Sequence, residues 1–555
     1  MDGAQQQTIS RASATTVAAF QAGRLSWRAR LEAWSDRIII LASCLTILVP
    51  FLFVKVPPLV DYPNHLARFW LLGGGVRDPM MARFYGVDWS KASTNIGVDL
   101  AVASLTFIAP ARVLGFIAAL TAALAPPVGM ICLNRVVFRR FDPWQSLFPI
   151  TAWSTTFLMG FLNFQIGLGL ALLMAAADPW LRRRLRGFVG PARAMIAAVL
   201  AVDHLFGLLF YAALVGALAF GAAPLGLGDR RAWLVRTREA FLASIWCFIP
   251  IVLLVVFAPA LPGSDAQSVG IVFGLSIYKV FALATSLSAY NLAIGVAITA
   301  TLAGAVVWLA RRGALRVHVG LLLIGAAMVV LSVISPDHAA GGSWISRRFP
   351  TLALLALLAA MQLKPGVASR WGPRFVAPVL ALVVAQAAWV SWNWRAMDAD
   401  MSAVRRAVAS VPPGAAILPL QHLQTLAGKW SAPSGRYMSS LGDPTFRHYA
   451  ALATPLRRAF VPNLFSARGL QPLRVVGDWD NRVEHNGGEL ASVNALSRPW
   501  RIGDPAYLPG WRSRFDFLLV VNADMPDAGG AFRPPPGVTM ISDTGFAQLW
   551  KIEAR

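Results

Sequence analysis

The sequence predicts an α-helical polytopic membrane protein of about eleven transmembrane helices, followed by a C-terminal α/β extracytoplasmic domain. Three observations carry that reading. The 555 residues are 56% hydrophobic and only 14% charged, against roughly 25% charged in soluble globular chains. Mean hydropathy is +0.57. The apolar residues fall in blocks of about 20, the length an α-helix needs to cross the hydrocarbon core. Lipid offers no hydrogen bonds, so each block has to satisfy its own backbone as a helix.

The net charge of +23 invites a nucleic-acid reading, which its distribution rejects. Basic residues sit mainly in short loops between apolar blocks, where they act as topology signals, and no recognised nucleic-acid module accompanies them. Cys44, Cys132 and Cys247 lie far apart inside apolar blocks, which excludes a disulfide framework and a zinc site. A divalent metal is not indicated, and no cofactor is called for.

Residues 1–37 are polar and carry Arg11, Arg24, Arg28, Arg30 and Arg37. They are expected inside the cell, the first dozen disordered and the stretch after Leu25 an amphipathic helix on the inner leaflet. Residues 38–54 form the first span, an uncleaved anchor running outward. A large external loop, 55–94, follows, then a short interfacial helix over 95–109 ended by Pro110. Residues 111–136 return to Arg135, Arg139 and Arg140.

A tight hairpin over 147–157 and 161–177 ends at Arg182, Arg183, Arg184 and Arg186, the strongest inside signal. A second hairpin, 192–202 and 205–223, has Asp203 and His204 at its outer tip, with Asp229, Arg230, Arg231, Arg236 and Arg238 inside. Spans at 241–260, 292–309, 319–334, 349–361 and 375–390 complete the set, with a partly apolar external stretch at 263–288. The transmembrane domain is therefore 38–393. From 394 to 555 proline, glycine and charge rise, and no block is long enough to span. Buried strands are expected at 415–420 and 515–521, and a strand pair over 539–552 turning at Asp543-Thr544-Gly545. Helical patterns cover 401–410 and 446–459.

Chemistry concentrates just outside the first span, in Val60-Asp61-Tyr62-Pro63-Asn64-His65-Leu66-Ala67-Arg68. Asp61, His65 and Arg68 share one face at i, i+4 and i+7, and Pro63 suits a first helical turn. A carboxylate fixed at the membrane boundary can act as a general base. Asn64, His65 and Arg68 are candidate substrate-binding groups, as are Asp203 and His204. Asp88 and Asp99 are further candidate acids.

Arg347-Arg348 follows Ser343-Trp344-Ile345-Ser346 at an external span mouth, against the charge rule, and guanidinium's planar fork suits a lipid phosphate. Tyr278 and Lys279 could assist. Asn163 lies at an outer hairpin end beside a run of glycines suited to close helix packing. Trp479-Asp480-Asn481 and Arg447-His448-Tyr449 are candidate contacts for a polar substrate.

Asp61-Tyr62-Pro63-Asn64-His65, Gly160-Phe161-Leu162-Asn163-Phe164 and Arg347-Arg348-Phe349, set in this architecture, resemble the GT-C superfamily of membrane glycosyltransferases, in an uncharacterised bacterial branch. The resemblance covers nearly the whole chain in architecture. It implies transfer of a sugar from a polyprenyl-phosphate donor to an acceptor hydroxyl on a glycan, lipid or protein. The first-loop acid, the catalytic base of that superfamily, maps onto Asp61, and the residue contacting lipid phosphate onto Arg347 or Arg348. It further implies a bacterial inner membrane, with the N-terminus cytoplasmic and the C-terminal domain periplasmic. Many members carry Asp-Glu where this chain has Asp61-Tyr62, and the Trp-Trp-Asp motif of oligosaccharyltransferases is absent, which argues against protein N-glycosylation. A transporter or flippase, or a non-catalytic scaffold, is the alternative from other classes. A flippase needs polar groups through the full depth of the bilayer, and an enzyme needs one cavity open on one side.

Overall fold

The computed structural model describes residues 35–222, 230–258, 270–274, 279, 281–339, 342–439 and 442–553. The expected N-terminal amphipathic helix and disordered segment, Asp229, and residues 263–269, 275–278 (Tyr278 among them) and 280 of the external stretch lie outside them. The described chain is mostly helical. In order, the principal helices are α1 (Ser35–Phe53), α2 (Tyr62–Leu72), α3 (Gly97–Leu105), α4 (Ala111–Phe138), α5 (Leu162–Leu185), α6 (Val189–Asp203), α7 (Leu205–Phe220), α8 (Arg230–Phe257), α9 (Leu292–Arg311), α10 (Val319–Ile334), α11 (Phe349–Ala359) and α12 (Pro365–Ala407).

Six helical segments among the described residues are long and apolar enough to cross a membrane: α1, α4, the run Leu162–Asp203, α8, α9 and Arg374–Ser410 within and just beyond α12. The run Leu162–Asp203 breaks at Arg186 (φ 38°) into α5 and α6. Helices α7, α10 and α11 are apolar but shorter. On α8, Val252, Leu253, Val255, Val256 and Phe257 are all exposed. That surface is costly in water and at home in acyl chains. The chain is a multi-pass membrane protein.

One expected span takes another form. Residues 147–157 do not make an α-helix: Pro143–Trp153 is a wholly buried 3-10 run, followed by a single α-turn at Thr155–Leu158. It carries the chain from Asp142, which accepts from the Leu363 N–H at 3.4 Å, back to Met159, whose carbonyl accepts from Asp61 N–H at 2.9 Å. Two prolines, Pro143 and Pro149, lack the N–H an α-helix would use. The 3-10 form rises about 2.0 Å per residue against 1.5 Å for α, so fewer residues make the return. Its irregular backbone is tolerated because protein surrounds it. Trp144 Nε1 donates to the Leu358 carbonyl at 3.0 Å, and Gln145 Nε2 to Asn134 Oδ1 at 2.8 Å. Small residues let α4 and α5 approach closely; a Cβ added to Gly169 would stand 2.3 Å from that of Ala125.

Towards the C-terminus lies a five-stranded mixed sheet. Its five strands and a separate two-stranded pair, β1 and β3, are, in chain order, β1 (Tyr85–Val87), β2 (Ile417–Gln421), β3 (Leu473–Val475), β4 (Ala491–Ser492), β5 (Phe517–Val521), β6 (Val538–Asp543) and β7 (Ala547–Ile552). Spatial order is β6-β7-β5-β2-β4, with β2 parallel to β5 (Ile417 opposite Phe517) and to β4, and β7 antiparallel to β5 and β6. Strands β2 and β5 are buried at every position, as continuous apolar runs require. The 446–459 pattern yields only a 3-10 turn and one α-turn, Tyr449–Leu452 and Ala453–Arg457.

The sheet unit is not hung on a linker. The boundary expected at 394 falls inside α12, which runs unbroken through it. Strands β1 and β3 pair antiparallel, Tyr85 opposite Val475, sewing the first loop to the sheet unit. One apolar core joins Phe51, Tyr62 and Trp153 to Trp394, Phe446 and Leu519. The loop after α1 and the C-terminal unit therefore meet over α2, which is where the chemistry-bearing residues collect.

Candidate functional site

Asp61 sits immediately before α2, whose first turn Pro63 pre-shapes. Its side chain makes no capping bond to the helix, so the carboxylate is not consumed by the backbone. The backbone is pinned instead: Val60 and Asp61 N–H donate to the carbonyls of Leu158 and Met159 at 3.0 and 2.9 Å. Gly160 follows at φ +92°, and a Cβ there would come within 3.0 Å of Asp61 N. Only glycine fits that close, left-handed approach. A cavity of about 180 Å³ opens in front, lined among others by Asp61, His65, Asn163, His204, Arg348 and His448.

Two imidazoles flank the carboxylate, each with a defined tautomer. His448 Nε2 stands 3.4 Å from Asp61 Oδ1. Its Nδ1 faces Asn64 Nδ2, a donor, at 3.4 Å, so the ring proton is on Nε2 and points at the carboxylate. His65 Nδ1 accepts from Arg68 Nη2 at 3.1 Å, and its Nε2–H donates to the Gly160 carbonyl at 3.1 Å. Burial, with the Arg68 charge second, holds His65 well below the usual imidazole range. Burial likewise lowers His448, with Asp61 pulling the other way. Both rings are neutral at pH 7.

Across the cavity, Arg348 Nη1 lies 2.9 Å from His204 Nε2. His204 sits at the start of α7, its Nδ1 3.1 Å from Phe206 N. A guanidinium can only donate, so His204 Nε2 accepts from Arg348 and anchors it at the α6–α7 junction. Three aromatic rings, Phe161, Phe164 and Phe206, surround the guanidinium at 4.9–5.6 Å. No described carboxylate pairs with it within 4.0 Å; its nearest influence is the charge of Asp61. Burial draws Arg348 down to about 10, still protonated at neutral pH. An electropositive, donor-rich corner beside a fixed carboxylate is an arrangement that can hold an anionic leaving group while a proton is removed nearby.

The structure brings together Asp61, His65, Asn163, His204, Arg348, Arg447 and His448 of the residues singled out in the sequence. Others lie elsewhere. Arg68 is locked to Asp99 at 2.7 and 3.0 Å, with both side chains buried, so neither lines the cavity. Asn64 is a dock: it donates to the Asn463 carbonyl at 2.8 Å and accepts from Phe465 N–H at 2.9 Å. Arg347 turns away from Arg348, over the Trp344 ring at 4.2 Å and 3.9 Å from Asp443. Asp203 faces a neighbouring apolar groove. Lys279 donates to the Ser335 carbonyl at 2.9 Å. Asp88 caps a turn through Ser90, and Trp479 packs on Phe84, Phe460 and Phe515. Among the described residues no group of three His, Cys, Asp or Glu side chains is placed to hold a metal ion.

No family model, curated protein or solved structure matches the chain. The site therefore has to be read from its own chemistry. Sequence reasoning named His448 only as a possible substrate contact, without its link to Asp61, and gave no role to Phe465, Gln471 or Asn486, which also line the cavity. The one signal was local: a basic and imidazole pair, Arg447-His448, set in the apolar stretch Phe446–Leu452.

Proposed function

We propose that this chain is a GT-C-like, inverting glycosyltransferase of the bacterial inner membrane. It takes a sugar from a polyprenyl-phosphate donor and passes it to an acceptor hydroxyl. The reading places the N-terminus in the cytoplasm and the cavity, with the sheet unit above it, on the periplasmic side, following the charge of the loops.

The observation that carries it is the pairing, in one cavity, of an uncapped carboxylate with an anchored guanidinium that no described carboxylate neutralises. Asp61 accepts the proton of the acceptor hydroxyl. The hydroxyl oxygen bonds to the anomeric carbon as the bond from that carbon to the phosphate oxygen breaks. Polyprenyl phosphate leaves carrying the electron pair, and Arg348, held in place by His204, stabilises the charge that grows on it. Arg348 takes the phosphate role that sequence alone left open between it and Arg347. An apolar groove of about 500 Å³ between α3, α4, α5 and α6, lined by Ala101, Leu105, Ile117, Leu170 and Val199 and ending at Asp203, next to His204, suits the prenyl chain.

The test is to incubate the purified full-length protein in lipid nanodiscs with a panel of polyprenyl-phosphate sugars and follow release of polyprenyl phosphate by mass spectrometry. Release from at least one donor supports the reading. No release from any donor, with simple alcohols and glycans supplied as acceptors, rejects it.

A further inference from the structure

Asp61 is approached by a residue from the far end of the chain, and the geometry of that approach is fully determined. The Asn64 amide cannot be flipped, because its oxygen accepts from Phe465 N–H and its nitrogen donates to the Asn463 carbonyl. The same nitrogen faces His448 Nδ1, so Nδ1 is the acceptor and Nε2 the donor. The ring is 2% exposed. Phe465 meets it edge-on at 5.1 Å. Gly487, at φ +81°, gives it room: a Cβ there would stand 2.8 Å from the His448 Cε1. Both ring nitrogens are engaged, so the imidazole has no free position from which to shuttle protons.

We propose that His448 is a positioning residue for Asp61: its Nε2–H, delivered by the C-terminal unit, holds Oδ1 and thereby presents Oδ2 to the cavity. Asp61's part as base rests on the glycosyl-transfer reading; the hydrogen bond and its effect do not. The other titratable or charged groups around Asp61 are His65 from its own helix, Arg348 from the start of α11, His204 from the α6–α7 junction and Arg447 beside His448. The packed segment Leu158–Gly160 brings none. Of these, His448 alone is within 4.0 Å of the carboxylate. A donor held against one oxygen restrains the carboxylate, so removing it changes how readily Asp61 reacts.

The experiment uses the full chain in nanodiscs and dicyclohexylcarbodiimide, which reacts with protonated carboxyls. The rate of labelling of the Asp61 peptide at one fixed pH is measured by mass spectrometry. His448→Leu should raise that rate about tenfold, and His448→Gln, which keeps an N–H near the Nε2 position, should stay near the wild type. If His448→Leu does not fold, Gly487→Ala displaces the ring and should change the rate the same way. An unchanged rate in the folded variant overturns the proposal. Labelling needs no sugar donor, so a changed rate without sugar transfer upholds this inference and counts against the enzymatic reading, and transfer with an unchanged rate does the reverse.

Discussion

Arg348 Nη1 donates to His204 Nε2 at 2.9 Å, which anchors the guanidinium at the α6–α7 junction. A guanidinium so anchored, paired with no described carboxylate, is suited to an anionic oxygen. Arg348→Ala should lower kcat/KM for the lipid-linked donor by about 10²–10³-fold, the usual cost of removing a charge-stabilising group. Arg347→Ala, in contrast, removes a partner of Trp344 and Asp443 and should change turnover only a few-fold. Steady-state kinetics on both variants check the assignment, and equal losses would contradict it.

Arg68 and Asp99 form a bidentate pair whose side chains are 1% and 0% exposed. Removing one partner strands the other charge out of water. Arg68→Met should therefore cost about 3–5 kcal/mol of stability, and Arg68→Met combined with Asp99→Leu should recover much of it. Denaturant or thermal unfolding in detergent reads both. A single variant as stable as the wild type would show that the pair is not a structural lock.

Gly160 supplies the wall behind Asp61. Gly160→Ala forces a side chain into a left-handed conformation and against Asp61 N. Strain of this kind is worth about 1–3 kcal/mol, and part of it should appear as displacement of the carboxylate. We expect at least about a tenfold fall in kcat with little change in donor KM. The kcat and KM values of the folded variant decide this.

His65 and His448 are held below the ordinary imidazole range by burial. Such groups stay neutral in the folded chain while their unfolded counterparts take up protons below about pH 6.5. The unfolded state then binds more protons, so stability falls as pH drops. Tm should be level above about pH 6.5 and decline below it, and His448→Gln should flatten part of that decline. A Tm independent of pH between 7.5 and 5 would contradict the assignment.

Of the roughly eleven spans expected, six among the described residues are helices long and apolar enough to cross a membrane, and these were legible because length and composition alone set them. The sequence also revealed β2 and β5, whose unbroken apolar runs can only be buried. The return through Pro143–Trp153 was legible as an apolar crossing but not as a 3-10 run, since that form depends on what surrounds it. At the site, helical spacing put Asp61, His65 and Arg68 on one face. Their partners were not legible, because Arg68 turns to Asp99 and Asp61 to His448, contacts made by tertiary docking rather than by helical spacing. Arg347 and Arg348 are neighbours in sequence, and adjacent residues entering a helix point about 100° apart. Which of them enters the cavity is fixed only by the pose of α11.

The central claim is that Asp61 removes a proton from an acceptor hydroxyl at this cavity. The most direct measurement is release of polyprenyl phosphate by wild-type protein and by Asp61→Asn, in nanodiscs, on whichever donor the panel identifies, with folding matched by Tm. Asp61→Asn keeps shape and burial but has no basic oxygen. Release should fall by about 10²–10⁴-fold while donor binding is retained. Undiminished release by the folded Asn variant would contradict the account.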